Sequence, residues 1–321
     1  MAAAFLTNFM FWSGLSLGGI VLAALVDVTG GQWLGPMRVT AEGFRRFLPV
    51  SLGLFLVLMW RSRDFYPWAR TAVDGRWFAP AFVYVRDALV LVAVYVSAFV
   101  YCRASRRRRN DPAAAGSARA GAILLGVYVV GFSIVSVDLV MSLEPRWTST
   151  LFPAFVVSGN VFAGAAAVGA SWAWTAPDAL TSVGASRARD MANLLVGLAL
   201  FWTYLFWSQF LVIWYGNVTA EVGYVMARIG VSRAPGWIVL GMCCGLPSIV
   251  FVPQWGKTRV AMKLVLPFVL VGLWLAQWLL VAPALVRDAD GRTFIAALFV
   301  TLLFAIVFVA SVSLARQDPT A

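Results

Sequence analysis

The chain has 321 residues; 61% are hydrophobic and 12% are charged, and 25 Lys and Arg against 14 Asp and Glu leave a net charge of +11. Soluble domains carry about a quarter charged residues, so this composition excludes an ordinary soluble domain and predicts an integral membrane protein. A basic excess also occurs in nucleic-acid-binding proteins, but here the bases lie in short segments between apolar runs, which is typical of membrane topology. Nucleic acid is therefore not an expected partner.

Nine apolar runs are each long enough to cross about 30 Å of hydrocarbon. In chain order they cover residues 5–27, 42–60, 80–102, 119–142, 149–174, 190–214, 235–253, 260–283 and 293–315. The first run lacks a preceding basic segment and a convincing cleavage site, so it is interpreted as a retained helix and not as a signal peptide. The predicted fold class is an all-α integral membrane protein with about nine transmembrane helices.

The arginine distribution predicts the orientation. Arg103, Arg106 to Arg109 and Arg119 crowd the connection between the third and fourth runs. Short loops rich in Lys and Arg remain in the cytoplasm, so we expect this connection to be cytoplasmic. The N-terminus is then periplasmic and the C-terminus cytoplasmic.

The inventory of ligating side chains argues against a redox centre in this chain. It has no histidine, and its three cysteines are Cys102, Cys243 and Cys244. Haem ligation through His is excluded, and three thiolates are too few for an ordinary four-cysteine iron–sulfur cluster. We expect the cysteines to pack as small apolar residues, and any redox centre to belong to a partner subunit.

Small residues at regular spacing predict places where helices approach closely. The patterns are "GLSLG" (Gly14, Gly18), "GNVFAGAAAVGAS" (159–171) and "GMCCG" (Gly241, Gly245). Small side chains let the backbones of neighbouring membrane helices come together. These patterns predict packing and carry no chemistry.

Charged residues inside the predicted helices are candidates for function, because each costs about 2.5–3.5 kcal/mol at the centre of a membrane helix. The helix rise of about 1.5 Å per residue puts Asp138 roughly 10 Å below the outer end of its helix, and Arg86 and Asp87 at a similar depth. Asn8 falls in the same outer half. A second acid–base group is expected at the inner side and consists of Asp27, Glu42, Arg45 and Arg46.

Further polar residues lie between or beside these two groups. They are Tyr128, Ser133, Ser136, Asn160 and Asp190. Two half-paths of titratable groups that meet near the midplane would suit a proton relay. A static buried ion pair between Arg86 and its acids explains the outer group equally well, and the hydroxyls could simply bond carbonyls of their own helix. Both interpretations stay open.

Three stretches carry a family resemblance: "FYPWAR" (65–70), "VDLVMSLEPRWTSTLF" (137–152) and "FWTYLFWSQFLVIWYGN" (201–217). With the order of helices around them, they closely resemble the ActF-type subunit of bacterial alternative complex III, a member of the NrfD-like, polysulfide-reductase-C-like superfamily. The resemblance runs through most of the chain. It implies two four-helix bundles and one peripheral helix, with boundaries at 1–142, 143–285 and 286–321.

The resemblance also implies a function and a set of partners. The chain would be a membrane subunit of a quinol:electron-acceptor oxidoreductase in a bacterial inner membrane, with a proton path and no cofactor of its own. A quinone or quinol is expected nearby, and haem c and iron–sulfur clusters in other subunits. Expected partners are an iron–sulfur subunit, multihaem cytochrome c subunits, an ActC-type second NrfD-like subunit, small membrane subunits, a terminal oxidase and lipids.

Two features depart from the family pattern. ActF-type chains usually have ten transmembrane helices, and the nine predicted here are expected to correspond to all but the first. Arg146 stands where a "SLDPHW"-like motif often has histidine, which removes a group that titrates near neutral pH. Two alternatives therefore accompany the proton-path hypothesis, namely a purely structural scaffold and a second quinol-binding subunit.

Overall fold

A computed structural model describes residues 2–70, 77–111, 115–175, 181–229, 233–286 and 291–313. Within these ranges the chain is helical, and nine helices are long and apolar enough to cross a membrane. The expectation of an all-helical fold is confirmed for the described residues, and the nine apolar helices are compatible with a multi-pass membrane protein. Residues 71–76, and Ala114 in the arginine-rich connection, lie outside the described ranges.

We number the nine membrane-spanning helices in chain order. They are α1 (Ala2–Val28), α2 (Met37–Trp60), α3 (Pro80–Asn110), α4 (Ser117–Leu143), α5 (Phe152–Thr175), α6 (Ser182–Gly216), α7 (Ala234–Phe251), α8 (Arg259–Leu285) and α9 (Phe294–Ser313). The odd-numbered helices begin at one face of the molecule, called here the N-terminal face. The opposite face holds Arg106 to Arg109 and is called the arginine-rich face.

The helix α1 is the centre of the packing. It contacts α2, α4, α5, α8 and α9, and 89% of its most apolar segment is buried inside the protein. The helix α5 packs against α1, α4, α6 and α8, whereas α3 packs mainly on α4, and α7 lies against α6 and α8. By contrast, only 17% of the α9 segment is buried, so most of its surface faces outward.

Several helices differ from the predicted runs at their ends. The helix α2 begins at Met37 and contains a tight 3-10 turn at Phe44–Phe47. The helix α3 continues to Asn110, through the arginine run. Arginine has a high helix propensity, so a helix can extend past the apolar run that reveals it. The end of α6 is marked by Asn217, which has φ 45° in the left-handed region.

Two of the glycine patterns mark a close approach of α1 and α5. A Cβ atom at Gly18 would lie 1.9 Å from the backbone oxygen of Asn160, and one at Gly164 would lie 2.1 Å from the backbone nitrogen of Gly19. The prediction of close packing is confirmed for these patterns. In "GMCCG", a Cβ at Gly241 would meet nothing within 4 Å, and the segment forms a π-helical turn, Gly241–Gly245. Close packing on α8 occurs instead through Gly272, where a Cβ would lie 2.7 Å from Cys243 Sγ.

Candidate functional site

A cluster of charged and aromatic side chains lies at the N-terminal face, between α3 and α4. We call Trp77, Arg86, Asp87 and Asp138 the Asp138 cluster. Arg86 donates from Nη2 to Asp138 Oδ2 at 2.5 Å, and the Trp77 indole donates to Asp138 Oδ1 at 3.1 Å. The Arg86 guanidinium also stacks 4.0 Å from the centre of the Trp77 ring. Asp138 is thus held on both carboxylate oxygens.

Asp87 is in a different position from Asp138, although both are fully buried. Its Oδ1 lies 3.5 Å from Arg86 Nε, and neither of its carboxylate oxygens has a hydrogen bond. Two carboxyl groups therefore share one guanidinium, so the three side chains are electrically neutral when they hold one proton. A buried cluster with this stoichiometry is a place where a proton can be stored.

Two of the sequence motifs wrap around this cluster. "FYPWAR" contributes Tyr66, whose hydroxyl donates to the Leu139 carbonyl at 3.2 Å, and Trp68, whose indole donates to Ser142 Oγ at 3.1 Å. Ser142 in turn donates to the carbonyl of Asp138 at 2.5 Å. The motifs thus fix the end of α4 that carries Asp138.

Tyr66 is fully buried beside the cluster. Burial, together with the negative charges of Asp87 and Asp138, raises the pKa of the Tyr66 hydroxyl well above its ordinary value. The phenol therefore stays neutral and remains a hydrogen-bond donor. Tyr66 is thus a polar but uncharged neighbour of Asp87 and Asp138.

The end of the "MSLEPRW" motif docks a short helix, Thr219–Ile229. Trp147 stacks on Tyr224 with ring centres 3.7 Å apart, and the Arg228 guanidinium also lies over the Tyr224 ring, 3.5 Å from its centre. Arg228 donates to the Leu280 carbonyl at 3.0 Å and lies 3.8 Å from Glu144 Oε1. Burial lowers the pKa of Arg228 and raises that of Tyr224 to about 12.

A second cluster lies at the arginine-rich face, between α1, α2 and α3. We call it the Glu42 cluster; it consists of Asp27, Arg38, Glu42, Tyr101, Ser105 and Arg109.

Hydrogen bonds join the members of the Glu42 cluster into one network. Arg38 forms an ion pair with Asp27, which also accepts from Tyr101 at 3.0 Å. Glu42 Oε1 accepts from Ser105 and from Arg109, both at 2.6 Å. Its Oε2 is buried without a partner.

The predicted neighbours of Glu42 take a different role. Arg45 donates from Nη1 to the carbonyl oxygen of Glu42 at 3.0 Å, whereas the Glu42 carboxylate forms an ion pair with Arg109 of α3. Arg46 follows in the same 3-10 turn and is partly exposed. The acid–base group expected here is present, but its ion pairs form between helices instead of within one segment.

Three hydroxyl groups connect α1, α2 and α3 between the two clusters. Ser13 and Ser51 lie 2.5 Å apart, and Ser51 lies 2.7 Å from the Tyr95 hydroxyl. All three side chains are buried. We call them the hydroxyl triad. A hydroxyl both donates and accepts, so such a chain can reverse its direction of hydrogen bonding.

One face of α3 carries members of all three groups. Its buried residues include Asp87 of the Asp138 cluster, Tyr95 of the triad, and Tyr101 and Ser105 of the Glu42 cluster. At about 1.5 Å per residue, Tyr95 lies about 12 Å from Asp87 and about 9 Å from Tyr101 along the helix axis. Buried apolar residues such as Leu91 and Ala98 fill the intervals on this face.

The hydroxyls predicted on α4 have local partners. Ser133 donates to the Val129 carbonyl at 2.6 Å, and Ser136 donates to the Ser133 carbonyl at 2.8 Å. Both hydroxyls therefore bond carbonyl groups of their own helix, as the simpler of the two interpretations predicts. Tyr128 is fully buried and donates to the Val157 carbonyl of α5 at 3.5 Å.

The remaining predicted residues lie apart from the two clusters. Asn160 is buried on α5, where it contacts Gly14 of α1. Asp190 is partly exposed near the start of α6, at the arginine-rich face. Asn8 accepts hydrogen bonds from Trp12 and Trp274, both at 3.2 Å, and so joins α1 to α8.

Sequence reasoning missed Trp77, Arg38 and the hydroxyl triad. Trp77 and Arg38 lie outside the predicted helices, where no periodicity indicates which way a side chain points. Ser13 stands alone among apolar residues in "FWSGL", and Tyr95 stands alone in "VAVYV". An isolated hydroxyl in a membrane helix is the signal that could have found them, because it needs a partner there.

In the described part of the chain, no group of three or more His, Cys, Asp and Glu side chains is arranged to hold a metal ion. Comparison with models of known protein families finds no match, and comparison with curated proteins finds none either.

Proposed function

We propose that this chain is the proton-conducting membrane subunit of a quinol-oxidising complex, of the ActF type that its motifs resemble. The observation that carries the proposal is the Asp138 cluster, in which Asp87 and Asp138 share the single guanidinium of Arg86. Neutrality of this cluster requires one proton, and loss or gain of that proton changes a buried charge. A relay site needs this property.

The alignment of polar groups along α3 supports a route through the first four helices. A proton at Asp87 would move towards the hydroxyl triad and then to Tyr101 and the Glu42 cluster. The intervals of about 9 and 12 Å exceed a hydrogen bond, so water must enter between the levels for conduction. The proposed route is gated by hydration of the apolar residues on this face, such as Leu91.

The packing neighbours support the proposed arrangement in two four-helix bundles. The helices α1 to α4 would form one bundle, α5 to α8 the other, and α9 would be peripheral, as its low burial suggests. The contact of α1 with α5 would then join the bundles. In the proposed orientation the arginine-rich face is cytoplasmic and the membrane is the bacterial inner membrane.

Redox chemistry is assigned to partner subunits in this proposal. A multihaem cytochrome c and an iron–sulfur subunit would carry electrons, and an ActC-type subunit would oxidise the quinol. The exposed aromatic residues of α6, among them Trp207 and Trp214, offer a surface for lipid or for such a subunit. This chain would contribute the proton path.

Isolation through an affinity tag on this chain, from the membranes of its own host, tests the assignment. We expect c-type haem and iron–sulfur signals in the purified material, with quinol-dependent reduction of an acceptor. Recovery of a stable single protein that oxidises quinol with a cofactor of its own would overturn the proposal.

A scaffold role is the second candidate, and one observation favours it. The direct contact of Arg86 with Asp138, closed by Trp77, is also the geometry of a permanent ion pair. A scaffold predicts that neutralising Asp138 disrupts assembly, whereas a relay predicts an assembled complex with altered proton transfer. The scaffold and the relay therefore predict different outcomes for one variant, in which Asp138 is replaced by a neutral residue.

A further inference from the structure

A small cavity lies between α1, α5, α6 and α8, away from both charged clusters. Its lining is mainly apolar, with Phe11, Phe155 and Leu273 among the contributing side chains, and its volume is about 30 Å³. Two polar side chains, Asn160 of α5 and Gln277 of α8, also line it. An apolar cavity would exclude water, but these amides change its chemistry.

The two amides have unpartnered donors. Asn160 Nδ2 and Gln277 Nε2 are both buried without a hydrogen bond within the protein, and Asn160 is only 7% exposed. In hydrocarbon no solvent can satisfy such groups, and each unpaired amide donor is strongly unfavourable. Two of them around one cavity point to a bound molecule that accepts hydrogen bonds.

A third donor lies beside the same cavity. A Cβ atom at Gly159 would lie 3.0 Å from the indole nitrogen of Trp202, and both residues belong to the lining. The glycine therefore leaves room next to this N–H group. The lining thus offers three N–H donors.

We infer that this cavity holds two water molecules, bound by Asn160, Gln277 and Trp202. A water molecule needs about 10–15 Å³ of such space and two to four polar partners, so a cavity of about 30 Å³ accommodates two. The ring of a quinone does not fit in this volume. The inference is independent of the proposed function, since it rests on the unpartnered amides alone.

Replacement of Gln277 by methionine tests the inference, because a dry and a hydrated cavity predict opposite changes in the melting temperature. Methionine keeps the size of the side chain and removes the amide. In a dry cavity the change removes an unsatisfied donor and raises the melting temperature. In a hydrated cavity it removes a water ligand, and we expect the melting temperature to fall by about 2–4 °C. Leu279→Met, two residues further along α8 and outside the lining, is the control.

Radiolytic labelling of the wild-type protein in its native membranes, in water enriched with ¹⁸O, gives a second readout. Bound water makes hydroxyl radicals next to the side chains that it contacts, so we expect Trp202 to be labelled well above Trp68. Trp68 is equally buried, donates its indole N–H to Ser142 and does not line the cavity. Equal labelling of the two tryptophans, or a higher melting temperature for Gln277→Met, would overturn the inference.

Discussion

At the residue scale, the unusual feature is that two buried carboxyl groups compete for one arginine. Arg86 contacts Asp138 closely and Asp87 more loosely, and Trp77 holds the second oxygen of Asp138. The sequence places the three charged residues at one depth, because helix rise converts residue number into depth. It could not pair them, because depth does not determine which helices are neighbours.

Trp77 is predicted to stabilise the cluster through its indole N–H. In Trp77→Phe the ring can still stack on Arg86, but the hydrogen bond to Asp138 is lost, and we expect a stability loss of about 1 kcal/mol. Thermal unfolding of the purified protein measures it. Trp60→Phe is the matched control, since Trp60 is 80% exposed, and an equal loss in both variants would refute the role of Trp77.

Tyr224 gives a prediction for alkaline pH. Burial raises its pKa from 10.0 to about 12, so between these values the unfolded chain loses the phenolic proton before the folded protein does. Stability therefore falls as the pH rises from about 10 to about 12. In Tyr224→Phe this fall should be smaller, as measured by unfolding at stepwise pH. An unchanged pH profile in the variant would show that Tyr224 does not contribute.

At the element scale, the close contact of α1 with α5 depends on glycine. In Gly18→Ala the new methyl group would meet backbone atoms of α5, which cannot move aside as a side chain can. We expect a loss of about 3 kcal/mol or more, measured by thermal unfolding. Gly126→Ala is the control, because nothing lies within 4 Å of a Cβ there. Similar stability of the two variants would contradict the packing account.

Helix existence was predictable for all nine spans, and helix ends were not. Apolar length reveals a membrane helix, but charged residues such as Arg107 continue α3 beyond the apolar run. At the π-turn Gly241–Gly245, the sequence predicted close packing but not the residue that permits it. The close contact with α8 is made by Gly272, which lies against Cys243.

At the scale of the whole molecule, orientation is the assumption on which the direction of proton movement depends. A cysteine at Ala115, next to Gly116, should react with a membrane-impermeant reagent from the cytoplasm only, and one at Thr148 from the periplasm only. Both positions are exposed, and Cys244, which is partly exposed, is replaced by alanine beforehand. The reverse pattern of labelling would invert the proposed topology.

The most direct test of the relay is the number of protons translocated per electron by the Asp138→Asn complex in sealed vesicles. Asparagine keeps the size of the side chain and removes its charge and its proton. The account predicts an assembled complex that oxidises quinol and translocates fewer protons per electron, whereas Asp64→Asn, an exposed carboxylate at the same face, behaves as wild type. A permanent ion pair predicts poor assembly instead, because Arg86 loses its close charged partner at a cost of about 3–5 kcal/mol if the looser contact with Asp87 does not replace it. An unchanged ratio in a fully assembled Asp138→Asn complex would contradict the account.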